Sequence, residues 1–162
     1  VTVYASLANG GNIIQPNLIK NKKKNKNKKL ISEKTSLKIV NILRKVVTDK
    51  AGTASLADID GYYVGGKTGT SQNYENKNEN LNTFISIFPS QKPKYAMLVM
   101  LENPKIAKDL IYDYRGLKIK GTRNEAGWNS VYVAGKIIEK IGPILAINNK
   151  EFIQQHVVEK FN

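Results

Sequence analysis

The 162-residue chain contains no cysteine, which excludes disulfides and cysteine-ligated metal sites. It contains one histidine, His156, close to the C-terminus and beside no carboxylate–serine arrangement. A general base needs a positioned partner, so His156 is expected to be a surface or minor packing residue, and no Ser-His-Asp triad is expected. No group of His, Asp and Glu has metal-ligand spacing, so no metal site is expected. No apolar run approaches the roughly 20 residues of a membrane span. Residue 1 is Val1 rather than methionine, and residues 1–9 already read like the end of an amphipathic helix. The chain is therefore expected to be the C-terminal piece of a longer protein.

Acidic residues are scarce beside basic ones, 13 against 26, for a formal net charge of +13. Such a balance raises a nucleic-acid or anionic-surface partner. The distribution of charge argues for something simpler. Seven lysines fall within Lys20 to Lys29, mixed with Asn21, Asn25 and Asn27 and with no arginine or aromatic residue. Base stacking and bidentate phosphate recognition lack their usual side chains there. The stretch reads as a solvated loop, and no nucleic-acid partner is expected. Attraction to an acidic polymer or anionic lipid is at most a weak secondary effect. Hydrophobic residues make up 41% of the chain, enough for one domain with a real core.

Apolar residues at Val3, Tyr4 and Leu7 fit one face of a short first helix, stopped by Asn9-Gly10-Gly11-Asn12. Ile13-Ile14 and Leu18-Ile19 read as short extended pieces. Ser32 is the expected N-cap of a second helix, with Leu37, Val40, Leu43 and Val47 on its apolar face, widened by Ile39, Ile42 and Val46. Residues 51–60 form a loop. Residues 62–70 read as a strand, 73–82 as a surface connection and 83–88 as a second strand. Residues 95–101 are continuously apolar, as in a strand covered on both faces. Strands joined this closely are expected to be antiparallel. Residues 105–123 read as irregular, with Tyr112 and Tyr114 packing. A last helix is expected over 127–141, with Val131, Ala134, Ile138 and Ile141 inward and a stop at Gly142-Pro143. Residues 1–148 make the expected domain and 149–162 a tail.

Chemistry concentrates in Val64-Gly65-Gly66-Lys67-Thr68-Gly69-Thr70-Ser71-Gln72. Gly61 through Thr68 fits the phosphate-loop pattern Gly-x-x-x-x-Gly-Lys-Thr, which would make a nucleotide-binding protein. That motif needs a buried strand before it and a helix starting at its Lys-Thr. Ala57-Asp58-Ile59-Asp60 is too polar for the strand, and the residues after Thr68 make a poor helix start. Glu102 after the apolar run would suit a magnesium-site carboxylate, but Asn103-Pro104 suits a strand leaving a sheet equally well. The phosphate loop is the remote alternative.

The other claim on these letters is the Lys-Thr-Gly triplet of penicillin-recognising serine enzymes, which sits on a strand. Tyr62-Tyr63-Val64-Gly65-Gly66-Lys67-Thr68-Gly69-Thr70-Ser71-Gln72 resembles the third active-site motif of class B penicillin-binding proteins, the D,D-transpeptidases of peptidoglycan synthesis. Ala5-Ser6-Leu7-Ala8-Asn9-Gly10-Gly11 resembles the helix end upstream of that motif, and Ala51-Gly52-Thr53-Ala54 its Gly-Thr-Ala approach segment. Phe84-Ile85-Ser86-Ile87-Phe88-Pro89 and residues 95–104 resemble the following strand pair. Gly127-Trp128-Asn129 and Ala134-Gly135-Lys136-Ile137-Ile138 resemble the last helix. The resemblance spans about residues 1–147 and is nearest the division-specific branch.

The resemblance implies an α+β fold: an antiparallel sheet flanked by helices, forming the C-terminal half of a penicillin-binding-protein or β-lactamase-like transpeptidase domain. It implies that Lys67 supplies positive potential beside the nucleophile and the substrate carboxylate. Thr68 and Thr70 would hydrogen-bond that carboxylate, and the Thr70 backbone N–H would be one oxyanion donor. Gly69 would leave the strand edge open to a substrate peptide, and Gln72 would contact the acceptor side. The resemblance implies no metal and no cofactor. No Ser-x-x-Lys occurs in the chain, so the nucleophile is expected upstream. The implied partners are peptidoglycan stem peptides, β-lactam antibiotics, cell-division proteins and the missing N-terminal half of the domain. The implied location is the periplasmic face of the bacterial inner membrane, anchored by a segment absent here. A non-catalytic remnant that binds cell wall or a partner is the alternative.

Overall fold

The computed structural model describes residues 1–19, 28–72 and 79–147. Helices α1 (Thr2–Ala8) and α2 (Glu33–Thr48) come first. Strands β1 (Gly65–Gln72), β2 (Asn80–Phe88) and β3 (Tyr95–Glu102) form an antiparallel sheet in that order. A hairpin of β4 (Ile111–Tyr114) and β5 (Leu117–Lys120) leads to helix α3 (Ser130–Ile147). Two short 3-10 turns, Ser55–Ala57 and Ala126–Trp128, lie before β1 and before α3. The architecture is α+β, an antiparallel sheet with helices on its faces.

Side chains alternate along each strand, so the sheet has two distinct faces. On one, Phe84, Phe88 and Val99 pack with Val131, Ala134 and Ile138 of α3, and with Val47, Ala54, Ala57 and Val64. On the other, Ile87 packs with Val40 and Leu43 of α2, flanked by Tyr4 and Ala8 of α1. The second cluster is small. Leu98 and Met100 of β3, on the same face, remain 38% and 54% exposed. The continuous apolar run of β3 predicts cover on both faces. Among the described residues, α1 and α2 reach only the near end of the second face, and Leu98 and Met100 lie beyond them.

Helix α2 forms where its cap predicts. The Thr35 N–H donates to Ser32 Oγ at 3.1 Å, and Glu33 sits at the positive end of the helix. Val40, Leu43 and Val47 are buried. Leu37, expected beside them, is 57% exposed, and Ile42 is exposed too. The buried stripe runs back from Val40 by four residues to Ser36, whose hydroxyl donates to the Leu7 carbonyl oxygen. A polar residue thus occupies the place the apolar pattern gave to Leu37, because α1 offers a carbonyl there rather than an apolar surface.

Several boundaries differ from the sequence expectation. Tyr62 lies in a turn, its N–H donating to the Ile59 carbonyl, and Tyr63 has φ 47°, so β1 begins only at Gly65. Strand β2 begins at Asn80, three residues before Thr83; of the predicted connection, 73–78 lie outside the described residues. Ile13-Ile14 and Leu18-Ile19 form no strand; an isolated bridge joins Asn12 to Lys29 instead. Most of the lysine stretch, residues 20–27, lies outside the described residues, as do the tail and His156.

Residues 105–123 are not irregular throughout. They contain the β4–β5 hairpin, closed at Arg115 and Gly116 with φ 54° and 79°. A two-residue turn with both φ positive is a favoured hairpin turn, but asparagine or aspartate usually announces its first position. Arginine there hides it. Tyr112 and Tyr114 pack as expected: Tyr112 meets Trp128 and Tyr132 edge-on, and Tyr114 stacks on Trp128 at 5.1 Å. Burial raises the Tyr112 phenol above the usual tyrosine value, with the neighbouring Tyr132 adding to the shift.

Gly142-Pro143 does not stop the last helix, which begins at Ser130 after a 3-10 turn and runs to Ile147 with Pro143 inside. Gly142 serves a close contact, since a Cβ there would lie 2.6 Å from the Tyr62 hydroxyl oxygen and nearer still to its ring. Gly142→Ala gains about 1 kcal/mol of helix propensity but overpacks at a cost of about 1–3 kcal/mol. A net destabilisation of up to about 2 kcal/mol is expected by urea unfolding. A raised midpoint would contradict the close contact.

Candidate functional site

Strand β1 lies at the edge of its sheet. It pairs with β2 and with no other strand among the described residues. Alternate backbone groups of an edge strand point away from the sheet and can pair with an added chain. The register sets Lys67 opposite Ile85, Gly69 opposite Thr83 and Thr70 opposite Asn82. Lys67 and Gly69 therefore share the α2 face, and Thr68 and Thr70 share the α3 face.

Lys67 is exposed, and its ammonium donates to the Thr68 carbonyl oxygen at 2.8 Å. An ammonium has three N–H donors, so that contact leaves charge and donors for a ligand. The two threonine hydroxyls are each engaged from behind. Thr68 Oγ1 lies 2.8 Å from Thr53 Oγ1. The Ala126 N–H donates to Thr70 Oγ1 at 3.2 Å. The two supporting loops touch each other, since a Cβ on Gly127 would lie 2.6 Å from the Thr53 carbonyl oxygen. Gly69 leaves the other face of the strand low, and a Cβ there would meet Thr83 Oγ1 at 2.6 Å. Gln72 is exposed at the end of β1, opposite Asn80.

Ser6, Ser32 and Ser36 each have hydrogen-bond partners within the chain. Ser6 Oγ donates to the Thr2 carbonyl at 2.9 Å and accepts from the Ile14 N–H at 2.8 Å. Ser32 caps α2, and Ser36 holds Leu7. Among the described residues no group of three or more His, Cys, Asp or Glu side chains could hold a metal ion. Nor is any described helix long and apolar enough to cross a membrane.

The geometry overturns the phosphate-loop alternative. Lys67 and Thr68 lie in the middle of an antiparallel strand, and no helix begins at them. A phosphate cradle needs helix N-terminal amides at that point. What the arrangement offers is a cation on one side of a bare strand edge and two oriented hydroxyls on the other. Such a wall suits an extended peptide bearing a carboxylate.

The sequence brings Lys67, Thr68, Gly69, Thr70 and Gln72 onto one strand, and the structure places them there. Thr53 and Ala126 escape a reading of the motif alone. Thr53 stands 15 residues from Thr68, and the Ala126 contact is a backbone N–H 56 residues from Thr70, which no side-chain pattern records. The only signal for Thr53 was its place in the Gly-Thr-Ala segment.

Comparison with known proteins agrees with the resemblance. Residues 1–123 match the family model described as the penicillin binding protein transpeptidase domain. The probable peptidoglycan D,D-transpeptidase FtsI of Caulobacter vibrioides is 31% identical over 134 residues, covering 76% of this chain and 21% of that protein. Stage V sporulation protein D of Bacillus subtilis is 39% identical over 82 residues, covering 48% of this chain and 12% of that protein. The chain thus spans about a fifth or less of the length of these relatives. The solved transpeptidase domain of the FtsI4 D,D-transpeptidase from Legionella pneumophila superposes with a TM-score of 0.59 at 27% identity, covering 85% of this chain and 43% of that one.

Proposed function

The chain belongs to the penicillin-binding protein transpeptidase domain family, and from that premise we propose that it is the C-terminal part of a class B peptidoglycan D,D-transpeptidase of the division-specific type. Residues 1–148 are part of the transpeptidase domain, and 149–162 are a C-terminal tail. The intact enzyme forms an acyl-enzyme on a serine outside this chain and cross-links stem peptides. β-Lactams enter by the same acylation. The observation that carries this reading is the edge strand β1, with Lys67 and Gly69 on one face and the Thr68 and Thr70 hydroxyls on the other.

In the reaction the serine oxygen attacks the donor carbonyl, whose oxygen takes up negative charge. The Thr70 N–H, on the edge strand, is one donor to that oxygen; the second belongs to the serine itself. One such donor is worth roughly 10²–10³ in rate. The donor peptide lies along β1, which Gly69 keeps clear. Its carboxylate is held by the Thr68 and Thr70 hydroxyls and by the field of Lys67, and Gln72 faces the acceptor. The peptide bond to the terminal residue then breaks, the serine's proton leaving with that residue's amine, and the acceptor amine attacks the acyl-enzyme, forming the new amide and returning a proton to the serine oxygen.

The sheet face bearing Leu98 and Met100 is where the N-terminal half of the domain packs. The enzyme works at the periplasmic face of the inner membrane, anchored by a segment outside this chain, together with cell-division proteins. The solved transpeptidase domain, of which this chain covers 43%, supports the reading that a large part of the working domain is contributed from elsewhere.

Fluorescent penicillin tests the reading. The purified 162-residue chain is expected to take no stable label, whereas the intact enzyme takes label that survives denaturing electrophoresis. Stable labelling of the chain alone would place a nucleophile within it and refute the assignment.

A further inference from the structure

We propose that Asn82 is a positioning residue for Thr70, aiming the Thr70 hydroxyl proton at the substrate carboxylate; this rests on the acyl-transfer reading above. Asn82 is fully buried and stands directly opposite Thr70, on the same face of the sheet. Its Nδ2 donates to the Asn124 carbonyl oxygen at 2.6 Å. Asn129 Nδ2 donates to the same oxygen at 3.1 Å and to Asn124 Oδ1 at 3.2 Å. Asn124 Nδ2 in turn donates to the Pro104 carbonyl at 2.6 Å. Asn82 thus fastens the segment before α3 to the sheet, Asn124 ties it to the loop after β3, and Asn129 braces it from within.

That segment contains Ala126, which is held at both backbone groups. Its carbonyl accepts from Ser130 Oγ at 3.1 Å, and its N–H donates to Thr70 Oγ1. A hydroxyl has one proton and two lone pairs. With Ala126 donating to one lone pair, the Thr70 proton is turned away from Ala126 and toward the exposed side of β1. Thr70 is exposed, so a ligand can receive that proton. Without the fastening, the hydroxyl is free to rotate and to offer a lone pair, which an anion repels.

Stability alone is a poor reason for a buried asparagine at this place. Among the described residues its Oδ1 meets no donor, so half of the amide is buried without a partner. An apolar residue of similar volume would avoid that desolvation cost. What such a residue could not supply is a direction for the Asn124 carbonyl, and through it for the Ala126 N–H.

A double-mutant cycle in the intact enzyme tests this, reading the rate constant of acylation by fluorescent penicillin. Asn82→Leu is expected to slow acylation about tenfold, the worth of one hydrogen bond to a charged group. In a Thr70→Val background the same substitution should change the rate by under about twofold, because the hydroxyl it aims is gone. In a Thr70→Ser background, which keeps the oxygen, the tenfold loss should return. Equal losses in the wild-type, Thr70→Val and Thr70→Ser backgrounds would show a merely structural role and overturn the inference while leaving the acyl-transfer reading intact. A wild-type enzyme that takes no label would overturn that reading and this inference with it. Should Asn82→Leu fail to fold, Asn82→Ala removes the same donor without added bulk and enters the same cycle.

Discussion

Lys67→Ala in the intact enzyme is expected to lower the rate of acylation by penicillin about 10²–10³-fold, with circular dichroism and melting temperature unchanged. The size follows from charge. Two unit charges 4 Å apart interact by about 4 kcal/mol at the effective dielectric typical near a protein surface. A neutral hydrogen bond contributes only about 0.5–1.5 kcal/mol net. On the proposed reading, the field of Lys67 on a carboxylate and a developing oxyanion therefore exceeds an ordinary neutral hydrogen bond and is comparable to the oxyanion donor at Thr70. The fold should not suffer, because Lys67 is exposed and its bond within the chain goes to the adjacent Thr68 carbonyl. Lys67→Arg keeps the charge but replaces a compact ammonium by a broad fork, so partial recovery is expected. Acylation unchanged in Lys67→Ala would refute the role of the lysine.

The second large effect separates fold from site on the same strand. Gly66→Ala is expected to destabilise the protein by about 3 kcal/mol or to prevent folding. A Cβ on Gly66 would lie 2.5 Å from the Ile85 carbonyl oxygen and 2.6 Å from Phe84 Cζ. Phe84 is fully buried at the centre of the main core, and the carbonyl belongs to the paired strand, so neither can yield. Gly69→Ala meets only the Thr83 hydroxyl, the end of a side chain that can rotate. It should fold with a loss under about 1 kcal/mol and yet slow acylation, because the new methyl stands where the substrate peptide passes. Equilibrium unfolding of both variants, with acylation measured on those that fold, checks the contrast. Equal stability for Gly66→Ala and wild type would contradict the packing described for β1.

What the sequence made legible was whatever repeats at short range. The α2 cap at Ser32, the buried Val40, Leu43 and Val47, and the alternation that pairs β1 with β2 all depend on neighbours within a few positions. Leu37 misled because an apolar residue says nothing of what faces it; there Ser36 meets a carbonyl of α1. The β4–β5 hairpin stayed hidden because Arg115 takes a positive φ without the usual residue type. Gly142-Pro143 reads as a helix stop by local rules, and the contact that explains Gly142 comes from Tyr62, far away in sequence. The candidate site follows the same division. Lys67, Thr68, Gly69, Thr70 and Gln72 are contiguous and were readable. The supports from Thr53, Ala126 and Asn82 arise only when three separate segments meet.

The most direct measurement is a crystal structure of the intact enzyme after reaction with penicillin. The expected result is an acyl bond to a serine outside residues 1–162. The ligand carbonyl oxygen should lie about 2.7–3.2 Å from the Thr70 backbone nitrogen, and the ligand carboxylate should lie within hydrogen-bond reach of the Thr68 and Thr70 hydroxyls. A ligand bound covalently with its carboxylate and carbonyl oxygen away from β1 would contradict the assignment of this strand as one wall of the acyl-transfer cleft.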